Sequence, residues 1–406
     1  MSPRELRASL SLAAIFGLRL FGMFVILPVF ALWAEGRPGW NLTLVGIALG
    51  VYGLTQAILQ IPFGYWSDRA GRKPVLYVGL EIMASGSFVA AGFDSPWMVI
   101  VGRMLQGAGA VSAVAIAMAG DLTRDSQRTK AMAIIGSSIG GAFALSFVLA
   151  PFLEHAIGVR GLFAMTGVFC ILAIGVVAWI VPEVEGKPAE RQHTNLRSVL
   201  LDPELVRINI GIFILRMVLM AVFVVVPKGL VAAGAPAKDH WWVYLVGVGC
   251  GMVLMLPVVM GRVGQRDRPV IMAAIATLGV AVAALAASQG YLPGLVVALV
   301  IFFAGFNALE AKMPALVSRA VPSSARGLAT GVFSSIQFLG MFAGGSLGGF
   351  LAQRTGVLVV LGTCFAALAL WFAVASRMGN FTPATLREDA EALAEAEASS
   401  GISPRQ

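Results

Sequence analysis

The sequence predicts an all-α membrane protein with twelve transmembrane helices in two pseudo-symmetric six-helix halves, and three observations predict it. The first is composition. Hydrophobic residues make up 58% of the 406, charged residues only 12%, and mean hydropathy is +0.86. A soluble domain carries roughly twice that charge. Too little polar side chain remains to coat a water-facing surface, which excludes a soluble enzyme, a disordered scaffold and a secreted disulfide framework. The second observation is a series of twelve apolar runs, each near the ~20 residues that cross a bilayer as a helix. The third is an internal repeat at an offset near 195. Pro62 lies eleven residues before Lys73-Pro74-Val75, and Pro257 lies eleven before Arg268-Pro269-Val270. Ser137-Ser138-Ile139 likewise matches Ser334-Ser335-Ile336, at an offset of 197. Two copies in parallel about a long polar linker are the organisation of transporters that rock around a central site.

In chain order, the first run covers 8–33 behind Arg4 and Arg7. It holds Arg19 and has no small-residue cleavage site, so it reads as a retained span and not a removable signal. Runs at 44–66, 74–93, 98–120, 131–153 and 161–181 complete an N-terminal half over 1–181. Residues 182–207, rich in Pro, Glu, Arg and Gln, form a cytoplasmic linker. Runs at 208–230, 242–261, 270–288, 294–317, 327–351 and 357–376 make the C-terminal half over 208–376. The acidic, Ala-rich tail 377–406 has room for one short amphipathic helix carrying Leu386, Ala390 and Leu393.

Orientation follows from the positive-inside rule. A cytoplasmic N-terminus puts 20 of the 29 Lys and Arg in inner segments and five in outer loops (Arg37, Arg160, Lys228, Lys238 and Arg354). Both termini are therefore expected in the cytoplasm, and the pI near 9.8 reflects topology, with no nucleic-acid partner. Cys170, Cys250 and Cys364 sit apart in apolar runs without metal-ligand spacing, so they read as buried hydrophobes, and no metal site is expected. Trp241, Trp242 and Tyr244 open the eighth span and read as an aromatic belt at the outer interface.

The loop after span two runs Gly64-Tyr-Trp-Ser-Asp68-Arg69-Ala-Gly71-Arg72-Lys73. Gly64 would let two helices approach closely, Gly71 permits a tight turn, and the cationic run holds the loop on the cytoplasmic side. Asp68, at the membrane edge, could accept from a helix N-terminus, where a carboxylate is favoured by roughly 0.3–1 kcal/mol. This string resembles the G-x-x-x-D-R-x-G-R-K signature of the major facilitator superfamily. The resemblance implies the major facilitator fold, makes the start of span eleven near Gly327 the partner of Asp68, and pairs Arg72 with Asp121 at the end of span four. Arg103-Met-Leu-Gln106-Gly107 in span four resembles the superfamily's R-x-x-Q-G motif. Span five resembles the antiporter motif only loosely, through Gly136, Gly140, Gly141 and Ala150-Pro151. Further strings (Tyr52 to Gly64 with Gln56 and Gln60, Asp121 to Arg124, Arg128 to Met132, Phe306-Asn307 to Glu310, and Ser335-Ile-Gln337 to Gly340) are similar to the YajR-like branch of proton-driven drug efflux transporters. That likeness covers all twelve spans but not the small α/β domain that members can carry after the last one.

Arg19, Arg103, Arg216, and Glu310 with Lys312 lie in spans one, four, seven and ten. These hold equivalent places in each three-helix repeat, and in the superfamily they line the central cavity. A charge inside a span is costly enough to imply a cavity or a partner. Glu310 is the leading proton-coupling candidate, since desolvation raises a carboxyl toward neutral pH; the alternative is a fixed ion pair with Arg19 or Arg103. Lys312, roughly 200° around the helix from Glu310, is expected to snorkel to the cytoplasmic interface. Glu81, in span three with Tyr77 and Ser85 on its face, is the other intramembrane acid. Gln56, Gln60, Gln106, Arg216, Asn307, Ser335 and Gln337 are the substrate-cavity candidates; those on spans two and eleven could equally bond across that helix pair.

The expected function is proton-coupled export of small amphiphilic or drug-like molecules by alternating access, with no cofactor beyond the proton, acting as a monomer in a bacterial inner membrane. The cationic excess on the cavity spans also admits metabolite or organic-anion transport. A membrane-embedded enzyme would need a catalytic cluster, and neither H-E-x-x-H nor paired intramembrane aspartates occur. A sensor or scaffold would be expected to carry a soluble output domain.

Overall fold

The computed structural model describes residues 1–183, 201–259, 267–321 and 325–379. Most of the linker and the tail from 380 on, with its expected short helix, lie outside the described residues. Eleven described helices are long and apolar enough to cross a membrane. One of them, Asp125–Trp179, contains two spans: its 55 residues are broken at Gly158, whose φ of +67° suits glycine. Twelve crossings result. The turn expected at 154–160 falls at Gly158, where the helices of spans five and six meet. The outer surface of the bundle carries large apolar side chains such as Leu145, Val253 and Leu370, as lipid-facing helices must.

Two spans are less regular than their hydropathy suggests. Span one divides into Pro3–Phe24 and Leu27–Ala34, because Pro28 cannot donate into the helical ladder. Span four, expected as one helix over 98–120, divides into Pro96–Ala108 and Ser112–Asp121. Between them the backbone tightens into i→i+2 bonds, Ala110 N to Ala108 O and Val111 N to Gly109 O, both 2.8 Å. Span three presses on this point: a Cβ on Gly109 would stand 2.3 Å from Gly79 O.

An even number of crossings puts the N-terminus and the end of span twelve on one face, here the near face. The two halves meet along spans two (Leu42–Ala70) and eleven (Arg326–Arg354), and along spans five and eight (His240–Val259). Backbone-to-backbone approach makes the first seam. A Cβ on Gly46 would lie 2.1 Å from Gly345 O, one on Gly53 2.4 Å from Phe338 O, and one on Gly349 2.3 Å from Leu42 O. Span eleven uses its other face on span seven (Pro203–Ala232), where a Cβ on Gly344 would meet Met217 O at 2.1 Å. These approaches lie toward the far face, whereas a Cβ on Gly327 or Gly331 meets nothing within 4 Å. Gly64 is not a close-approach glycine either, its nearest neighbour being Ala113 Cβ at 4.0 Å.

Aromatic rings fill the second seam. Phe147 of span five lies 4.7 Å from Phe223, 5.9 Å from Phe303 and 6.0 Å from Tyr244, centroid to centroid. Tyr244 is therefore fully buried inside the bundle and does not belong to an interfacial belt. Trp241 does remain near the outside, against Phe152. Cys170 and Cys364 are buried as expected, but Cys250 is exposed on span eight.

Candidate functional site

The near-face motif forms a compact charged cluster. Gly71 adopts φ +92° to end span two, and span three begins at once with Arg72. The Arg72 side chain is buried. It donates through Nε to Asp121 Oδ2 at 2.8 Å, and through Nη1 to Ser67 Oγ at 2.7 Å and to Asp68 Oδ1. One planar guanidinium thus ties the end of span two to the end of span four. Asp68 accepts from Arg72; its expected partner, the start of span eleven, lies partly outside the described residues. Arg69 stacks over Tyr65 at 4.2 Å, and Lys73 reaches Glu183 at 2.8 Å.

The C-terminal half carries a counterpart with the charges exchanged. Asp267, the residue 195 positions after Arg72, is buried at the start of span nine. It accepts from Arg319 Nη2 at 2.8 Å and stands 3.6 Å from Lys312 Nζ, both near the end of span ten. Lys312 thus does turn toward the near face, but to an acid and not to bulk solvent. Sequence reasoning passed over Asp267 because an isolated acid in a basic loop reads as part of a topology signal.

Deeper in the N-terminal half lie two arginines with no carboxylate partner among the described residues. Arg19 donates to Tyr52 Oη at 2.8 Å, to Gln56 Oε1 at 2.5 Å and to Ser112 Oγ. Gln56 in turn reaches Ser112 at 3.2 Å and Gln60 at 3.4 Å. Arg103 donates to Ala48 O at 3.2 Å and to Gln106 Oε1 at 2.7 Å, and lies 4.9 Å over the Tyr52 ring. Gln106 passes the chain on to Ser87 at 2.8 Å. Both cations are thus held by neutral dipoles and one π face, and both keep a buried N–H without a partner, Nε in Arg19 and Nη2 in Arg103. Ser112 was not foreseen. It stands at the start of the second piece of span four, and only the break at Gly109 places it there.

The C-terminal half differs. Arg216 of span seven forms an ion pair with Glu310 of span ten and lies 5.7 Å from the Phe306 ring. The expected alternatives of Arg19 and Arg103 as partners of Glu310 are corrected: both belong to the other half, and Arg216 faces Glu310 within its own. Arg216 Nε, Glu310 Oε2, Asn307 Nδ2 and Ser335 Oγ are buried without hydrogen-bond partners. Gln337 is half-buried on span eleven. Glu81 is exposed on span three, remote from this group. The string Gly136-Ser137-Ser138-Ile139-Gly140 spells G-x-S-x-G, but Ser138 Oγ donates to Ile135 O at 2.7 Å inside a continuous helix, not on the strand-to-helix elbow that such a nucleophile needs.

Comparison with known proteins agrees with this architecture. Residues 12–256 match the profile of the Major Facilitator Superfamily. The chain is 41% identical over 384 residues to the inner membrane transport protein YajR of Escherichia coli strain K12, covering 93% of this chain and 84% of that one. It is 28% identical over 255 residues to the multidrug resistance protein MdtH of Yersinia enterocolitica, covering 59% of this chain and 60% of that one. Among solved structures, a bacterial homolog of the human lysosomal transporter Spinster, in an inward-facing and occupied conformation, superposes with a TM-score of 0.77 at 13% identity. That match covers 94% of this chain and all of that one, and at such identity it speaks for the fold alone.

Proposed function

The chain belongs to the Major Facilitator Superfamily, and from that premise we propose that this multi-pass membrane protein, a transporter and not an enzyme, exchanges protons for small amphiphilic molecules by alternating access. The observation that carries the reading is the Arg216–Glu310 pair. Glu310 is the only acid within the apolar runs of spans one, four, seven and ten (8–33, 98–120, 208–230 and 294–317). Of the two partners only the carboxylate can take up a proton, because a guanidinium stays protonated. Protonation of Glu310 removes the countercharge of Arg216 and frees both side chains to turn elsewhere. A substrate that competes for the same carboxylate excludes the proton, which is the condition for antiport. The proton is the coupling ion and no other cofactor enters. The resemblance to the inner membrane transport protein YajR and the multidrug resistance protein MdtH supports transport of drug-like molecules across a bacterial inner membrane; the excess of Lys and Arg in the inner segments supports cytoplasmic termini, and the proposed unit is the monomer.

In proteoliposomes loaded with a pH-sensitive dye, adding an amphiphilic substrate should drive proton flux opposite to substrate movement, and an imposed proton gradient should concentrate substrate uphill. Substrate movement that ignores the gradient would refute the coupling. A second reading, organic-anion transport, is favoured by one feature: Arg19 and Arg103 are buried with no carboxylate among the described residues. Competition by anionic against cationic amphiphiles in the same assay separates the two readings.

A further inference from the structure

Span four is jointed, and its near piece, Ser112–Asp121, carries polar side chains only at its two ends. At the far end Ser112 Oγ accepts from Arg19 Nη1 and, at 3.2 Å, from Gln56 Nε2. At the near end Asp121 Oδ2 accepts from Arg72 Nε at 2.8 Å. The residues between read Ala113-Val-Ala-Ile-Ala-Met-Ala-Gly120. Val114, Ala115, Met118 and Ala119 form the buried face. Such a face has few of the long side chains that key a helix into its neighbours' grooves.

The joint itself is pinned. The i→i+2 turns at Ala108–Val111 replace the helical ladder there. Span three presses on them: a Cβ added to Gly79 would stand 2.2 Å from Val111 Cγ1, and one on Gly109 2.3 Å from Gly79 O. Ser112 follows this joint directly, whereas Asp121 stands roughly 13 Å further along the helix. A small tilt at Ser112 therefore becomes a larger displacement at Asp121. The near end is also the sensitive one. A carboxylate in the last turn of a helix opposes the dipole, so Asp121 depends on Arg72 for its place.

We propose that Ser112 is a positioning residue for transport, which passes the state of Arg19 through the short helix Ser112–Asp121 to the near-face brace Arg72–Asp121. While Arg19 donates to Ser112, the helix keeps the tilt at which Asp121 meets Arg72. A hydrogen-bond acceptor that draws Arg19 away releases Ser112, tilts the helix about the joint and loosens the brace. The link holds whether the carried molecule is a cation or an anion, and it does not involve Glu310, which lies in the other half.

The test is hydrogen exchange of the full chain in nanodiscs, which reads local opening along the helix. Ser112→Ala should raise exchange at 118–122 about fivefold, the effect of one lost hydrogen bond on an opening equilibrium. Ser112→Thr, which keeps the hydroxyl, should restore the wild-type rate. Asp121→Asn should in turn raise exchange at 112–116, because coupling is reciprocal, and this arm stands even if Ser112→Ala fails to fold. The double variant should open less than the product of the two single effects, whereas unlinked sites this far apart act independently. Ser87→Ala removes a buried hydroxyl that accepts from Gln106 beyond the joint; it should loosen 96–108 and leave 118–122 unchanged. A Ser112→Ala effect confined to the first turn, or a folded Ser112→Thr protein that opens like Ser112→Ala, would overturn the proposal. So would independent effects in the double variant, no change at 112–116 in Asp121→Asn, or an equal rise at 118–122 in Ser87→Ala.

Discussion

A guanidinium buried in a helix bundle cannot discharge, whereas a carboxylate beside it can, and this asymmetry governs the Arg216–Glu310 pair. Glu310→Leu strands a cation among apolar neighbours and should cost roughly 3–5 kcal/mol of stability. Arg216→Leu leaves an acid that can take up a proton and become neutral, so its cost should be clearly smaller. Thermal unfolding in detergent compares the two, and equal losses would mean that the pair is not desolvated. The same reasoning applies to Arg103, which uses its fork to bridge Ala48 O and Gln106. Arg103→Lys keeps the charge but not the fork, and should lose about 1–3 kcal/mol through unmade buried hydrogen bonds. Each of these charged residues was legible in the sequence, because an ionised group in an apolar run needs a reason. Their partners were not. Nothing in one-dimensional spacing distinguishes Arg216 from Arg19 as the neighbour of Glu310, and the Ser112 contact depends on a backbone break.

At the scale of elements, the seam between spans two and eleven depends on missing side chains. Gly46→Val would drive a branched side chain into Gly345 O, which already lies 2.1 Å from an ideal Cβ. The far ends must then separate, at a cost at or above the ~1–3 kcal/mol usual for overpacking. Gly64→Ala meets nothing closer than 4.0 Å and should be nearly neutral by the same measurement. Unfolding midpoints of the two variants test the contrast, and similar losses would contradict the packing described. The glycines of span eleven were visible in the sequence, but their division between two partners was not. Gly340 and Gly344 serve span seven, and Gly345 and Gly349 serve span two, which follows only from the helix's position between them. Hydropathy located the spans because burial in lipid selects for apolar length. It registered the turn at Gly158 but could not register the break at Gly109, since an apolar run looks the same whether straight or bent.

Across the whole molecule, the halves are locked at the far face by glycine approach and aromatic packing, and at the near face each half carries an ion-paired brace. Arg72 holds Asp68 and Asp121 in one half, and Asp267 holds Arg319 and Lys312 in the other. Alternating access requires the far-face lock and the near-face contacts to open in turn. Asp68→Asn weakens only the near-face cluster, so it should shift the population toward near-side opening while expression stays close to normal. A Val226→Cys reporter, buried toward the far end of span seven, should then react more slowly with a membrane-impermeant maleimide added from the far side. An unchanged rate would contradict that coupling. The central claim is that the charge on Glu310 links the proton to this movement, and the most direct measurement is uphill transport by Glu310→Gln, which keeps an acceptor for Arg216 but removes the titration. The variant should purify monodisperse and bind substrate with an affinity that no longer varies between about pH 5 and 8, while a proton gradient no longer concentrates substrate. A well-folded Glu310→Gln protein that still accumulates substrate on a proton gradient would contradict the account.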